Sequence, residues 1–102
     1  MDSIELDALY QQAVDDKARC LLTSASPQID SLPDYGSFTV SIAGEEITGW
    51  FNQYRLDDES RHIVFKLSRR VLLILHKKYL SGIYLNKNNI SILSNVKVAC
   101  YD

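Results

Sequence analysis

The chain has 102 residues, of which 46% are hydrophobic and 24% charged, with only 4 glycines and 2 prolines. This length and composition predict one folded domain, 1–102, and argue against an extended or disordered chain. The net charge of −2 hides an asymmetry, because residues 1–51 hold 9 acidic and 2 basic residues whereas residues 52–102 hold 4 acidic and 9 basic. Such asymmetry points to charged partners and not to a particular fold.

The apolar segments and the cysteines bear on the compartment. The longest apolar run, Val71–Leu75, is far shorter than the roughly 18 residues that span a membrane. No signal-peptide pattern opens the chain, so we expect a cytoplasmic protein without membrane contact. Cys20 and Cys100 match no metal-ligand spacing and are expected to be small buried hydrophobes.

The first predicted element is an amphipathic helix over residues 3–22. Its apolar residues recur at helical spacing, and acidic and amide side chains occupy the other side. Asp2 or Ser3 can cap its first turn, and Ser24–Pro27 favours its end. Residues 24–36 then predict an ordered loop.

From Ser37 the hydrophobic period changes to two. Segments 37–42, 47–54 and 62–67 each alternate apolar and polar side chains, with turn-forming residues between them. This pattern predicts a three-stranded antiparallel meander.

Residues 69–80 fit two structures. Their leucine content, a Ser68 cap and the Ser81-Gly82 stop favour a helix, although the apolar run also suits a central strand buried on both faces. We favour the helix. The remaining predicted strands are Ile83–Leu85, Ile90–Leu93 and Val96–Tyr101. The predicted fold class is α+β: an N-terminal amphipathic helix packed on a mainly antiparallel sheet of five to six strands, with a second short helix near 69–80.

No motif indicates catalysis. The glycines are scattered, so no phosphate-binding loop is present, and Asp57–Glu59 lacks the ligand alternation and glycine of a calcium loop. His62 and His76 are the one candidate acid–base pair, and a small hydrolase using them is an alternative. The favoured interpretation places both imidazoles in solvent on separate elements. We therefore predict no enzyme activity, no cofactor and no metal.

Binding is the favoured class of function. On a helix over 69–80, Val71, Leu72 and Leu75 would face the core, and cationic residues would share the other side with leucines. A mixed face of this kind suits an acidic, partly apolar protein surface. The candidate contact residues on it are Arg69, Arg70, Leu73, His76 and Lys77.

A second candidate surface lies on the sheet. Trp50, Tyr54 and Arg55 have the composition of an interface hot spot, with a core position for Trp50 as the alternative. The expected function is that of a small accessory, inhibitor, immunity or chaperone-like factor that binds another protein with an acidic surface. One alternative is nucleic-acid binding by the basic C-terminal half, although the net charge is negative. The other is a symmetric homodimer in which the acidic helix meets the basic surface.

Overall fold

The computed structural model describes residues 3–23, 32–57, 59–86 and 89–101, so the predicted Asp2 cap and residues 24–31 of the predicted loop lie outside the described residues. Its five strands form one antiparallel sheet in chain order, with a long helix on one face and a short helix on part of the other. This architecture is the predicted α+β class. The elements are α1 (Ser3–Leu22), β1 (Tyr35–Ile42), β2 (Glu45–Arg55), β3 (Arg61–Arg70), β4 (His76–Asn86), β5 (Asn89–Ile92) and α2 (Asn95–Ala99).

Helix α1 forms where the sequence predicts it and buries one stripe of side chains. Tyr10, Val14 and Ala18 are buried and recur at four-residue spacing, so they lie on one side of the helix. They pack against the sheet side chains Phe38, Ile42, Phe51, Ile63, Phe65, Leu67, Tyr79 and Ile83. This cluster is the main core.

The predicted meander is confirmed, and two tight features of it depend on backbone geometry. Ala43 and Gly44 join β1 to β2 with φ angles of 52° and 83°, the left-handed pair that a two-residue hairpin turn requires. At Gly49, a Cβ would lie 2.4 Å from Phe38 Cζ and 2.8 Å from the Lys66 carbonyl oxygen. The close packing of β1, β2 and β3 at this point therefore admits only glycine.

A second, smaller core lies under α2, and here the sequence prediction is wrong. Residues 95–99 form a helix, not part of a strand over Val96–Tyr101, because Ser94 caps it by accepting a bond from the Lys97 amide and Val98 is buried. This core joins Val64, Leu93 and Val98 with Tyr54, Leu80, Tyr84 and Tyr101.

The helix predicted near 69–80 is also wrong. Strand β3 continues to Arg70 and β4 begins at His76, and the two strands stay in register up to the Arg70↔His76 pair. Residues 71–75 form the connecting turn. They include no glycine, proline, asparagine or aspartate, the residues that normally mark a turn in sequence. The second short helix lies at Asn95–Ala99 instead.

A pair of leucine truncations distinguishes the hairpin from the predicted helix. Leu67 is fully buried in β3, whereas the side chain of Leu72 is 62% exposed. We expect Leu67→Ala to lower the free energy of unfolding by about 2–5 kcal/mol. Leu72→Ala should change it by less than about 0.5 kcal/mol. Denaturant unfolding of both variants measures this, and a cost for Leu72→Ala equal to that for Leu67→Ala would contradict the hairpin.

Candidate functional site

The β3–β4 hairpin separates from β2 near its end, and the β1–β2 hairpin likewise continues past the last β2–β3 pair to Ile42↔Glu45. Pairing between β2 and β3 ends at Trp50↔Lys66, whereas pairing between β3 and β4 continues to Arg70↔His76. Residues 68–78 therefore form a two-stranded segment that does not pair with β2, which we call the ribbon. Its end, Val71–Leu75, is called the aliphatic tip.

The aliphatic tip exposes five consecutive apolar side chains. Leu73 is 83% exposed and Ile74 is 88% exposed. Single exposed apolar residues are ordinary on protein surfaces, but a contiguous apolar patch on a monomer marks an interaction site. A turn at the end of a hairpin is normally built from polar residues and glycine, so folding does not require this composition. The tip is the strongest functional signal in the described part of the chain. Its other members are Val71, 40% exposed, Leu72, 62%, and Leu75, 52%.

Backbone hydrogen bonds hold the tip in one conformation. The Val71 amide donates to the Leu75 carbonyl at 3.0 Å, and the Leu75 amide donates to the Leu72 carbonyl at 3.3 Å. From the ribbon, Arg70 Nε donates to the same Leu72 carbonyl at 3.4 Å. The aliphatic side chains are therefore presented on a closed turn.

Helix α1 anchors the ribbon through a single carboxylate. Oδ1 of Asp7 accepts from Arg69 Nη2 at 2.8 Å and from the Tyr79 hydroxyl at 2.5 Å. Oδ2 of Asp7 accepts from Lys77 Nζ at 2.5 Å. Arg69 Nε also donates to the Tyr79 hydroxyl oxygen at 3.1 Å, and the Arg69 side chain is only 14% exposed. These contacts connect the first turns of α1 to both strands of the ribbon.

The protonation equilibria of the network follow from these bonds. Hydrogen bonds from Lys77, Tyr79 and Arg69 hold the pKa of Asp7 well below its ordinary value of 3.8. Hydrogen bonds to Tyr79 and Asp7 raise the pKa of Arg69. Burial, followed by the bond to Asp7, raises the pKa of Tyr79. All three shifts favour the charge states that make the bonds.

The five predicted contact residues of 69–80 lie together on the hairpin but not on one face. Side chains alternate between the two faces of a strand, so Arg69 and its partner Lys77 point toward α1, while Arg70 and its partner His76 point away. Leu73 lies at the end of the tip. The cations toward α1 are paired with Asp7, so the single cationic face predicted from the helix does not exist.

The sequence pattern predicts most of the tip to be core, and this prediction is wrong. Val71, Leu72 and Leu75 are predicted to face the core, yet these three residues and Ile74 are each at least 40% exposed. One sequence signal was present: five aliphatic residues stand between the basic pairs Arg69-Arg70 and Lys77-Lys78. That arrangement suits an exposed apolar segment with charged flanks better than a buried one.

The three contact residues predicted on the sheet do not form one surface. Trp50 is 56% exposed and is not a core residue, and it lies on the sheet face away from α1, as its register partner Lys66 does. Tyr54 stacks on Tyr101 with ring centroids 4.2 Å apart, inside the second core. Arg55 forms an exposed ion pair with Asp34 at 3.3 Å, at the end of β2 remote from the ribbon. Of these three residues, only Trp50 lies near the ribbon with an exposed side chain that a partner could contact.

The two histidines do not form an acid–base pair. His62 is buried under α2 with Nδ1 2.6 Å from the Tyr101 hydroxyl oxygen, so the expectation of a solvent position is wrong for this residue. His76 is exposed. Its register partner Arg70 follows His62 by eight residues, so the two imidazoles lie about 26 Å apart at the usual rise of a strand.

The cysteines and the possible metal ligands are also placed. Cys20 and Cys100 are both exposed, contrary to the prediction that they are buried. Within the described ranges, no three His, Cys, Asp or Glu side chains are grouped as a metal site would require. None of the described helices has the length and apolar content of a membrane span.

Comparisons with known proteins add no assignment. No protein-family model, curated protein or solved structure matches the chain.

The Asp7 network predicts a specific acid sensitivity. Because the pKa of Asp7 is lower in the folded chain than its ordinary 3.8, its stabilisation is complete above that value and is lost as the pH falls through the folded pKa. Asp7→Asn should therefore be less stable than the unmodified chain at neutral pH, and the difference should shrink as the pH is lowered below about 4. Chemical denaturation across a pH series measures the difference. A difference that does not change with pH would contradict the charged network.

Proposed function

We propose that this chain is a non-catalytic binding protein and that its aliphatic tip inserts into an apolar pocket, with an acidic rim, on a partner protein. The observation that carries the proposal is the exposure of all five tip residues on an ordered turn. A small accessory, inhibitor, immunity or chaperone-like role suits a chain of 102 residues that acts through its aliphatic tip.

Burial of the tip provides the driving force. Fully burying a leucine or isoleucine side chain contributes about 1.5–3 kcal/mol relative to leaving it exposed. Leu73 and Ile74 gain most, since they are the most exposed residues of the tip. The turn is already closed by its own hydrogen bonds, so little conformational entropy is lost when the partner binds.

The charges beside the tip favour an acidic rim. Arg70, His76 and Lys78 are exposed, and alternation places them together on the ribbon face away from α1. On the other face, Arg69 and Lys77 together exceed the single charge of Asp7. The ribbon is therefore net positive, which orients an acidic surface and raises its association rate more than its affinity.

The composition of the ribbon favours a protein pocket over a lipid bilayer. Segments that lie in a membrane interface commonly carry tryptophan or tyrosine at the headgroup level. Residues 68–78 contain neither, and the adjoining Tyr79 is buried. A defined turn conformation also serves recognition by a shaped pocket, whereas a fluid acyl layer gains nothing from it.

Removal of the tip leucine and isoleucine tests the proposal. We expect Leu73→Ser/Ile74→Ser to abolish partner binding while leaving the melting temperature nearly unchanged, because both side chains contribute little to either core. The matched control is Val96→Ser, which removes a side chain 78% exposed on α2. A photo-crosslinking amino acid at position 73, with position 96 as its control, identifies the partner in cell extract. The purified partner is then titrated against the unmodified chain, the tip variant and the Val96→Ser control.

The outcomes separate the classes of partner. Saturable binding of the purified partner that the tip variant loses and the Val96→Ser control retains supports the proposal. Equal binding by the tip variant contradicts it. If the chain floats with phosphatidylserine vesicles in a tip-dependent way and no protein is crosslinked from position 73, the tip binds a membrane and not a protein pocket.

A charge reversal tests the acidic rim. Arg70→Glu should slow association with the purified partner about tenfold or more at low ionic strength, and salt should reduce the difference. Lys97→Glu on α2 is the control, because it makes the same change of charge away from the ribbon. Stopped-flow association rates across a salt series measure both variants. Equal slowing by the two variants would contradict a localised acidic rim.

A further inference from the structure

Strand β1 forms one edge of the sheet. In the strand order, β1 has β2 on one side and no strand on the other among the described residues. Every second residue of an edge strand directs its backbone amide and carbonyl outward, which makes the edge a template for another strand.

Strand β1 lacks the features that normally prevent such pairing. Tyr35–Ile42 contains no charged residue and no proline, and its register with β2 runs without a bulge from Tyr35↔Asn52 to Ile42↔Glu45. Edge strands are usually protected by lysine, proline, a bulge or short length. The opposite edge, β5, is protected by its length, since Asn89–Ile92 has only four residues.

Helix α1 leaves the space beside β1 open. The helix packs mainly on β3 and β4 and contacts β1 less, and a groove of about 400 Å³ lies between it and part of β1. Val40 lies in the groove with Leu9 and Ala13 of α1, so its lining is partly apolar. A strand added to β1 would direct every second side chain to this side of the sheet. The full lining is Leu9, Gln12, Ala13, Asp16, Lys17, Val40 and Ser41.

We infer that β1 pairs with β1 of a second copy of this chain, so that the sheet continues across a two-fold axis. The strand is self-complementary: Ser37, Thr39 and Ser41 alternate with Phe38, Val40 and Ile42. Antiparallel pairing about an axis perpendicular to the sheet places hydroxyl side chains beside hydroxyl side chains and apolar beside apolar. Because the strand is uncharged, no like charges meet.

This pairing has a consequence for the aliphatic tip. The two-fold axis reverses the strand direction, so the two ribbons of the dimer lie at opposite ends of the continuous sheet. The dimer therefore presents two binding tips that cannot compete for one pocket. It would bridge two partner molecules, or two sites of a repeating partner, with the gain in avidity that two linked sites provide.

The test places lysines on the exposed face of the edge. Thr39 and Ser41 are both exposed and alternate along β1 with the buried Phe38 and Ile42, so Thr39→Lys/Ser41→Lys leaves the core intact. Whether the axis passes through residue 39 or 40, introduced lysines lie opposite each other across the two strands and repel. The matched control is Thr48→Lys, on the same face at the register partner of Thr39 but on the interior strand β2.

Mass measurements in solution across a concentration series decide the outcome. We expect the unmodified chain and Thr48→Lys to reach twice the 11.6 kDa of one chain, and the double lysine variant to remain at the mass of one. The tip variant Leu73→Ser/Ile74→Ser should dimerise like the unmodified chain. The inference is overturned by a monomeric unmodified chain, by a dimer that persists in the lysine variant, or by a dimer that the tip variant loses. The proposed function is judged separately, because partner binding by the tip is measured on the monomeric lysine variant.

Discussion

The carboxylate of Asp7 is the contact on which the position of the ribbon depends. Arg69 and Lys77 are cross-strand partners on one face, and without an anion between them their charges would repel. Asp7 accepts hydrogen bonds from both cations and from the Tyr79 hydroxyl. It therefore attaches the start of α1 to the part of the β3–β4 hairpin that no longer pairs with β2. Part of the negative charge of the first half of the sequence is thus neutralised by positive charge of the second half within the same chain.

Along the β3–β4 hairpin, side chains on the core side of the Asp7 contacts are buried, and side chains between those contacts and the end of the hairpin are exposed. Tyr79 and Leu67 are buried, whereas the residues from Val71 to Leu75 pack in neither core. Stability requires nothing of these five aliphatic side chains, and their exposure carries a risk of aggregation. Under the proposed function, a partner surface covers these side chains, and the basic flanks favour solvation of the tip before binding.

The local elements were predictable because their signals are local. The buried stripe of α1 and the alternation of β1 and β2 are visible within single windows of the sequence, and both are confirmed. The helix prediction for residues 69–80 is wrong because a leucine-rich run is compatible with both a helix and a strand. In addition, the turn at Val71–Leu75 contains none of the residues that usually mark a turn. The strand prediction for residues 96–101 is wrong because the alternating Val96 and Val98 suit a strand as well as the short helix that Ser94 caps.

For the site, the sequence by itself determined the residue types: an uninterrupted aliphatic run between basic pairs, an acidic helix and an uncharged strand. Only the tertiary structure decided their arrangement. Pairing of β3 with β4 places Arg69 and Lys77 against Asp7, leaves the aliphatic run exposed and buries His62 under α2. These outcomes depend on contacts between residues up to about 70 positions apart, whose energies no local window contains.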